Sequence, residues 1–360
     1  MDLSLMEPMQ ILASEIFHSI KDKAYLESLI GDCEIGRISA IEDALPDSIV
    51  FLEKKEYFKY LTERKPAVVV TSNEFVNSVK ELGIEVILIS KNVGMSHAMI
   101  KQTYGDRNLF DSEWGRIHPS AVIHESVKIP ESCTIGPNVV IGKNVRMGER
   151  CAILANSVIE YNAVLGDDVW IYSGVMIGHE VELGSRVIIK YGSVLGGEGF
   201  GFVQDEKRAY HRIPQTGKIV LEDDVLIGSN CCIDRAAYRE TRVKRGTKLD
   251  NICHLAHNVV IGEDAILTAG CIIAGSTTIG NRVIMSGQTG VLDHLTVADD
   301  VILVHKAGVN SSIKKAGAYA GTPPQPINDY MKNMVIGRKL VDMKNQISNL
   351  EKRLKELEGK

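Results

Sequence analysis

A six-residue spacing of large aliphatic side chains runs through the middle of the chain. Every sixth position from Ile117 to Leu195, and again from Leu249 to Val309, is Ile, Leu, Val or Met. A period of six is typical of a solenoid in which each hexad forms one short strand and one turn. Three hexads complete a triangular coil, so the two runs predict a parallel β-helix of about ten coils stacked roughly 4.8 Å apart.

The other hexad positions favour the same fold. Glycine is frequent at the second position, which we interpret as a place where the chain turns in a conformation that is costly for a residue with a Cβ. The fifth position points into the narrow interior and is small or β-branched. Five cysteines occupy this position, and we expect them to be packing residues and not nucleophiles: Cys133, Cys151, Cys231, Cys253 and Cys271.

Two interruptions break the hexad frame. The frame is lost after Leu195 and returns near Leu221, which predicts a long loop between coils. A smaller insertion is predicted at Arg239 to Arg242. Because a regular solenoid tends to carry its function where the repeat breaks, we expect the long loop to line a binding site.

The segment before the hexads predicts a separate N-terminal α/β domain, residues 1–105, joined by a linker at Met99 to Trp114 to a β-helix domain of residues 106–315. Its helices and strands are predicted from apolar periodicity. The predicted helices are Glu7 to Ile20 and Glu74 to Leu82, and the predicted buried strands are Ala67 to Val70 and Glu85 to Ser90.

The chain after the hexads predicts a C-terminal α-helical extension, residues 316–360, with a helix from Asn328 to Lys360. Its apolar residues approximate a 3,4 spacing: Val335, Leu340, Met343, Ile347, Leu350, Leu354 and Leu357. A stripe this narrow on a charged helix usually requires partner helices. Together with the flat faces of a triangular coil, it predicts a homotrimer.

Composition narrows the range of partners and locations that the chain could have. The 360 residues are 44% hydrophobic, which is typical of a globular chain, and the net charge of −5 argues against nucleic acid as a partner. Seven cysteines at irregular spacing, without a CxxC pair, favour reduced thiols and no structural zinc. No basic leader and no 18-residue uncharged apolar run is present, so we expect a cytoplasmic protein without stable membrane insertion.

One histidine suggests acyl-transfer chemistry. His257 occupies the third position of its hexad, and Gly275 lies one coil of eighteen residues further on. Stacking places the two backbones about 5 Å apart, so an imidazole base would lie beside an N–H that can stabilise an oxyanion. His294 lies about 10 Å from His257 along the axis, too far for a direct partner. A lone histidine on a solenoid is more often a surface residue, so this pair alone leaves the function open.

Seven motifs extend the interpretation. In order along the chain they are GGEGFGF from Gly196, RIPQTG from Arg212, IDRAA from Ile233, LDNICHLAHNVVIGEDAIL from Leu249, AGSTTIG from Ala274, GQTGVLDHL from Gly287 and TPPQP from Thr322. Together they resemble the UDP-3-O-(3-hydroxyacyl)glucosamine N-acyltransferase family of lipid A biosynthesis. The resemblance implies a left-handed β-helix, an acyl carrier protein thioester as donor, and a UDP-amino-sugar lipid intermediate as acceptor. It implies no cofactor beyond the phosphopantetheine that arrives on the carrier, and no metal.

The resemblance also implies roles for individual residues. His257 is the general base, Gly275 is the oxyanion donor, and His294 supports the reaction along the acyl-donor path. Residues implied to bind the acceptor are Phe51, Lys54, Tyr57, Glu198, Phe200, Phe202, Asp250, His254 and Asn258. In the family pattern, two aromatics corresponding to Phe51 and Tyr57 sandwich uracil. Lys54 stands where the family usually has Asn, His254 where it often has Gln, and Asp293 where a Gly is common.

A basic cluster follows the last coils of this otherwise acidic chain. We predict that it docks the acidic carrier protein: Lys306, Lys314, Lys315, Lys332, Arg338 and Lys339. Ordinary solvated surface charge is the alternative interpretation.

Three other functions remain open. A related UDP-N-acetylglucosamine O-acyltransferase normally lacks the N-terminal uridine domain. A γ-type carbonic anhydrase would need three zinc-binding histidines between subunits, for which His179, His254 and His257 are candidates. The third alternative is a structural or binding β-helix without activity.

Overall fold

The structure, a computed structural model, describes residues 9–359. The chain divides into two compact units, and the boundary falls between Asn108 and Leu109. Among the described residues no helix is both long enough and apolar enough to cross a bilayer.

The N-terminal unit is built on a five-stranded sheet. In spatial order its strands are Leu26–Ile30, Val86–Ser90, Val68–Thr71, Ser48–Leu52 and Arg37–Ile38. The edge strand Leu26–Ile30 is antiparallel to its neighbour and the other pairs are parallel. Alternate side chains of the central strands enter two different apolar clusters, so both faces of the sheet are covered.

Helices cover this sheet. The α-helices are Ala13–Ile20, Phe58–Arg64, Val76–Glu81 and Val93–Tyr104, and the 3-10 turns are Ile41–Asp43, Lys55–Tyr57 and Asn73–Phe75. The helix predicted from Glu7 begins only at Ala13, because Ile11–Leu12 pairs as a strand with Glu34–Ile35; Glu7 and Pro8 lie outside the described residues.

Part of the predicted linker is also helical. Val93–Tyr104 continues into the segment expected to be irregular. The missed signal is Asn92, whose Oδ1 accepts the Met95 N–H at 3.0 Å and caps the helix.

The second unit is a solenoid with three sides, and each side is a sheet whose strands come from successive stacked coils. We call the first sheet the histidine face: Val122–Ile123, Val140–Ile141, Val158–Ile159, Met176–Ile177, Val194–Glu198, Cys232–Arg235, His254–Leu255, Ile272–Ile273, Gly290–Val291 and Gly308–Val309. The second is the charged face: Arg146–Met147, Val164–Leu165, Glu182–Leu183, Lys218–Leu221, Glu240–Val243, Val260–Ile261, Thr278–Ile279 and Thr296–Val297.

The third sheet is the isoleucine face. Its strands are Thr134–Ile135, Ala152–Ile153, Trp170–Ile171, Ile188–Ile189, Leu226–Ile227, Lys248–Leu249, Ile266–Leu267, Ile284–Met285, Val301–Leu303, Gly317–Ala320 and Gln325–Pro326. Only the last of these is antiparallel to its neighbour. The predicted fold class, a left-handed parallel β-helix with an N-terminal α/β unit and a C-terminal helix, is confirmed.

The register follows the hexads. Ile141 pairs with Ile159, and the aliphatic positions of the hexads form one continuous core. They are buried in most hexads and partly buried at Ile117, Ile123, Ile129 and Met147. The five cysteines at the fifth position are buried in that core, as predicted. The smaller insertion is displaced from its predicted place, because Glu240–Val243 is a strand paired with Lys218–Leu221. The extra residues lie at 236–239, just before it.

The role predicted for the second-position glycines is wrong. Positive φ angles occur at the fourth position instead, as at Asn138 with φ 56° and Asn258 with φ 61°. The second position needs glycine because adjacent coils touch there. A Cβ on Gly262, for example, would lie 2.4 Å from the carbonyl carbon of Gly280. Close approach of backbone, and not a left-handed turn, therefore selects the glycine.

The chain ends in a long helix, Ile327–Glu358. None of its residues is buried, and its apolar stripe is exposed along its length.

Candidate active site

The candidate catalytic residues stack at one corner of the solenoid, between the histidine face and the charged face. The Ser276 N–H donates to the His257 carbonyl at 2.9 Å, and the His294 N–H donates to the Gly275 carbonyl at 3.0 Å. His257, Gly275 and His294 therefore belong to three successive coils of the same corner. The histidine side chains differ in exposure, since His257 is half-buried whereas the His294 side chain is 73% exposed.

The hydrogen bonds of Asn258 fix the tautomer of His257. The Asn258 Oδ1 accepts the Ala237 N–H at 3.0 Å, while its Nδ2 donates to the Tyr238 carbonyl at 2.8 Å. This orientation places Oδ1, an acceptor, 3.2 Å from the His257 Nδ1. Nδ1 must then carry the proton, which leaves Nε2 as the basic nitrogen. The Asn258 side chain is thus engaged within the chain, where it positions the base, and its contact with substrate stays a prediction.

Gly275 packs directly on the imidazole. A Cβ on Gly275 would lie 2.6 Å from both Cε1 and Nε2 of His257. The glycine thus lets the basic nitrogen lie against the backbone of the next coil. The Gly275 N–H donates no hydrogen bond within residues 9–359, so it is available to an oxyanion next to that nitrogen.

A carboxylate that sequence reasoning missed lies beside the histidines. Asp234 is largely buried, and its Oδ2 is 3.8 Å from the His254 Nε2. Burial raises the pKa of the Asp234 carboxyl, and the charges of His254 and His257 act in the opposite direction. The four-residue insertion concealed this proximity, because it makes the step from Cys232 to His254 twenty-two residues instead of eighteen.

The long interruption forms a hairpin next to this corner. Its strands Phe202–Gln204 and Tyr210–Arg212 are antiparallel. Phe200 is 85% exposed, and its ring lies 4.9 Å from that of Phe202. Predicted substrate residue Glu198 pairs with Arg212 across the base of the hairpin.

A buried arginine holds the base of the hairpin. Arg235 is 1% exposed and donates to the carbonyls of Gly196 at 2.9 Å and Gly217 at 3.2 Å, the two ends of the excursion. It also donates to the His179 Nε2 at 2.7 Å, and the other ring nitrogen of His179 lies 3.3 Å from Glu160. Both nitrogens of His179 are therefore engaged, which weakens the zinc-enzyme alternative.

Asp250 is not brought to the same corner. It lies at the corner between the isoleucine and histidine faces, where its two oxygens accept the Asn251 N–H at 2.7 Å and the Ala269 N–H at 3.2 Å. Within a single chain, no contact between Asp250 and His257 is found among residues 9–359.

Comparison with known proteins identifies the family. A family model described as the GMPPB C-terminal domain matches residues 117–200. The UDP-3-O-acylglucosamine N-acyltransferase of Methylococcus capsulatus is 49% identical over 97% of this chain and 99% of its own length. That of Coxiella burnetii is 33% identical over 89% of this chain and 92% of its own. The chain belongs to the UDP-3-O-acylglucosamine N-acyltransferase family.

Membership in this family confirms the predicted resemblance and the enzyme class, an acyltransferase. Among solved structures, the UDP-N-acetylglucosamine acyltransferase of Francisella novicida is 24% identical, with a TM-score of 0.45, over 58% of this chain and 69% of its own.

A cavity in the N-terminal unit adjoins two residues that the resemblance implies for nucleotide binding. This cavity of about 320 Å³ is lined by both predicted aromatics, Phe51 and Tyr57. His97 also lines it and stacks on Phe51, with ring centroids 4.3 Å apart. Lys54 is exposed and is not among the lining residues, so its predicted part in nucleotide selectivity has no support from the cavity.

We expect Phe51→Ala to weaken the binding of every nucleotide sugar, because stacking on an aromatic ring contributes about 1–3 kcal/mol per base. Isothermal titration with UDP-, CDP- and TDP-sugars measures the effect. Lys54→Asn is the control: affinity and base preference should stay unchanged if Lys54 lies outside the site. Unchanged UDP-sugar affinity in Phe51→Ala would move the uridine site elsewhere.

Proposed function

We propose that this chain transfers a 3-hydroxyacyl group from acyl carrier protein to the 2-amino group of a UDP-3-O-acyl-glucosamine acceptor. The observation that carries the proposal is the corner at which the His257 Nε2, the basic nitrogen of the tautomer that Asn258 selects, lies against Gly275. The names of its relatives support the acceptor. The amine attacks the thioester carbonyl, and a nitrogen–carbon bond forms.

In this mechanism His257 and Gly275 act at different atoms. The His257 Nε2 removes one proton from the attacking nitrogen, and the Gly275 N–H stabilises the oxyanion. The carbon–sulfur bond then breaks, and His257 returns the proton to the phosphopantetheine thiolate of the carrier. The reaction written this way requires neither a metal nor a cofactor bound to the enzyme. A cytoplasmic location remains part of the proposal.

A transfer assay tests this proposal. The purified chain is incubated with a panel of 3-hydroxyacyl carrier thioesters and UDP-sugars, and products are identified by mass spectrometry. We expect acyl transfer to the amine of UDP-3-O-acyl-glucosamine. Transfer to the hydroxyl of UDP-N-acetylglucosamine would instead establish the O-acyltransferase alternative, and no transfer to any acceptor would favour a binding solenoid.

We propose a homotrimer, on the basis of two sets of exposed apolar side chains. Outward positions of the histidine and isoleucine faces carry apolar residues that stay exposed in one chain: Val122, Val140, Met176, Val194, Ile266, Ile272, Ile284 and Ile302. The charged face carries ion pairs instead, such as Arg242 with Glu222. On the C-terminal helix a regular 4,3 stripe is exposed: Ile336, Leu340, Met343, Ile347, Leu350, Leu354 and Leu357.

Light scattering at micromolar concentration should therefore give three times the chain mass of 39.6 kDa. Leu350→Glu places a charge in the helical stripe and should weaken the association, whereas Lys352→Glu, off the stripe, should not. A monomeric mass for the unmodified chain would contradict the trimer.

The carrier protein is proposed to dock on the basic cluster near the C-terminal end. All six residues are exposed: Lys306, Lys314, Lys315, Lys332, Arg338 and Lys339. We expect Lys314→Glu with Lys315→Glu to raise the KM for the acyl carrier thioester several-fold and to flatten its dependence on salt. Lys128→Glu with Lys143→Glu, which changes the net charge equally on the first coils, is the matched control. Equal effects of the two pairs would exclude a local docking site.

A further inference from the structure

An unpartnered acceptor lies beside the candidate base. Gln215 is 5% exposed, and its Oε1 is the one buried side-chain nitrogen or oxygen without a hydrogen-bond partner in the described part of the chain. Its Nε2 donates to the Ile213 carbonyl at 2.9 Å, which fixes the orientation of the amide. Buried polar atoms are nearly always partnered, so an orphan calls for an explanation.

The orphan faces His257 across a glycine. The position that a Cβ would take on Gly199 is 3.1 Å from the Gln215 Oε1 and 3.1 Å from the His257 Cδ2. The Gln215 Oε1 and the His257 Cδ2 are therefore separated by no more than twice that distance. Gly201 packs on the same side chain, since the position that a Cβ would take on Gly201 is 2.6 Å from the Gln215 Nε2. The turn at residues 199–201 therefore lies against both the unpartnered acceptor and the candidate base.

The chemistry of the acceptor suggests what Oε1 would bind. An attacking amine has two N–H groups, whereas an attacking hydroxyl has one O–H. His257 removes one proton in either case, so only the amine keeps an N–H, which needs an acceptor as the amide forms. We propose that the Gln215 Oε1 accepts this N–H once the turn at 199–201 moves, and that Gln215 thereby selects an amino acceptor over a hydroxyl acceptor.

This inference rests on the proposed N-acyl transfer and goes further by naming a specificity-determining residue. The atoms balance as in the reaction above: one proton passes through His257 to the thiolate, and the second stays on the nitrogen. Gln215 takes no proton and forms no covalent bond. Its contribution is a hydrogen bond that is made in the transition state and in the amide product.

The test replaces the acceptor oxygen without shortening the side chain. Gln215→Met should lower kcat for the amino acceptor roughly 10- to 100-fold, the effect of one lost hydrogen bond near the reacting atoms. Gln204→Met, the same substitution at an exposed site of the same hairpin, is the control and should leave kcat unchanged. A second measurement is the rate at which diethyl pyrocarbonate modifies His257, followed by peptide mass spectrometry.

The second measurement separates recognition from structural support. If Gln215 contacts the substrate, diethyl pyrocarbonate should modify His257 in Gln215→Met as fast as it does in the parent chain, although kcat has fallen. A fall in kcat accompanied by a changed modification rate would overturn the assignment, and so would a kcat within twofold of the parent. A parent chain that transfers nothing to an amine is a different result, because then the proposed function itself has failed.

Discussion

Replacing His257 with alanine is expected to lower kcat by two to four orders of magnitude, the usual contribution of a general base. The substitution removes the Nε2 that lies against Gly275, and it leaves Asn258 with its bonds to Ala237 and Tyr238. The corner should therefore keep its backbone conformation, and the proposed trimer should stay intact. Steady-state transfer rates and light scattering on the same preparation measure both quantities.

His124→Ala provides the control for the loss of an imidazole from the solenoid. His124 bonds Ser126 at 2.9 Å on an early coil, far along the sequence from the candidate site. Its replacement should leave kcat within about twofold, since it touches none of the proposed machinery. Activity of His257→Ala within tenfold of the parent would mean that the base has been misassigned.

The register of the solenoid was predictable because it depends on one repeated requirement. An aliphatic side chain at every sixth position can be buried only if successive coils align, and pairs such as Ile141 with Ile159 follow directly. The column of His257 and Gly275 follows from the same periodicity, since it needs only a count of eighteen residues. Family membership then confirmed the enzyme class.

The partners of the site residues were less predictable. Asn258 lies at the fourth position of its hexad, where a left-handed backbone turns its side chain back toward Ala237. The direction of this side chain cannot be predicted from the hexad periodicity. Asp234 was concealed by the insertion at 236–239, and Gln215 lies outside the hexad frame altogether. These three contacts depend on where irregular segments fold back, which is decided by tertiary packing and not by local pattern.

The contact between Gly275 and His257 leads to a second prediction of a large loss of activity. A Cβ on Gly275 would lie 2.6 Å from the His257 Nε2, far inside van der Waals contact, so the ring must rotate or the coils must separate. The φ of Gly275 is not in the left-handed region, and alanine therefore adds steric overlap without backbone strain. Displacement of the ring by about 1 Å can cost roughly a hundredfold in rate. We expect Gly275→Ala to lower kcat by about two orders of magnitude.

Alanine retains the backbone N–H, so a loss of rate in Gly275→Ala reports the position of the base and not the removal of the oxyanion donor. Gly337→Ala, on the C-terminal helix and off its apolar stripe, is the control, because a Cβ there meets no atom within 4 Å and its φ is also outside the left-handed region. Melting temperatures of both variants should stay close to the parent if the imidazole absorbs the overlap. A Gly275→Ala variant with kcat within tenfold of the parent would show that the imidazole need not lie against this backbone to act as the base.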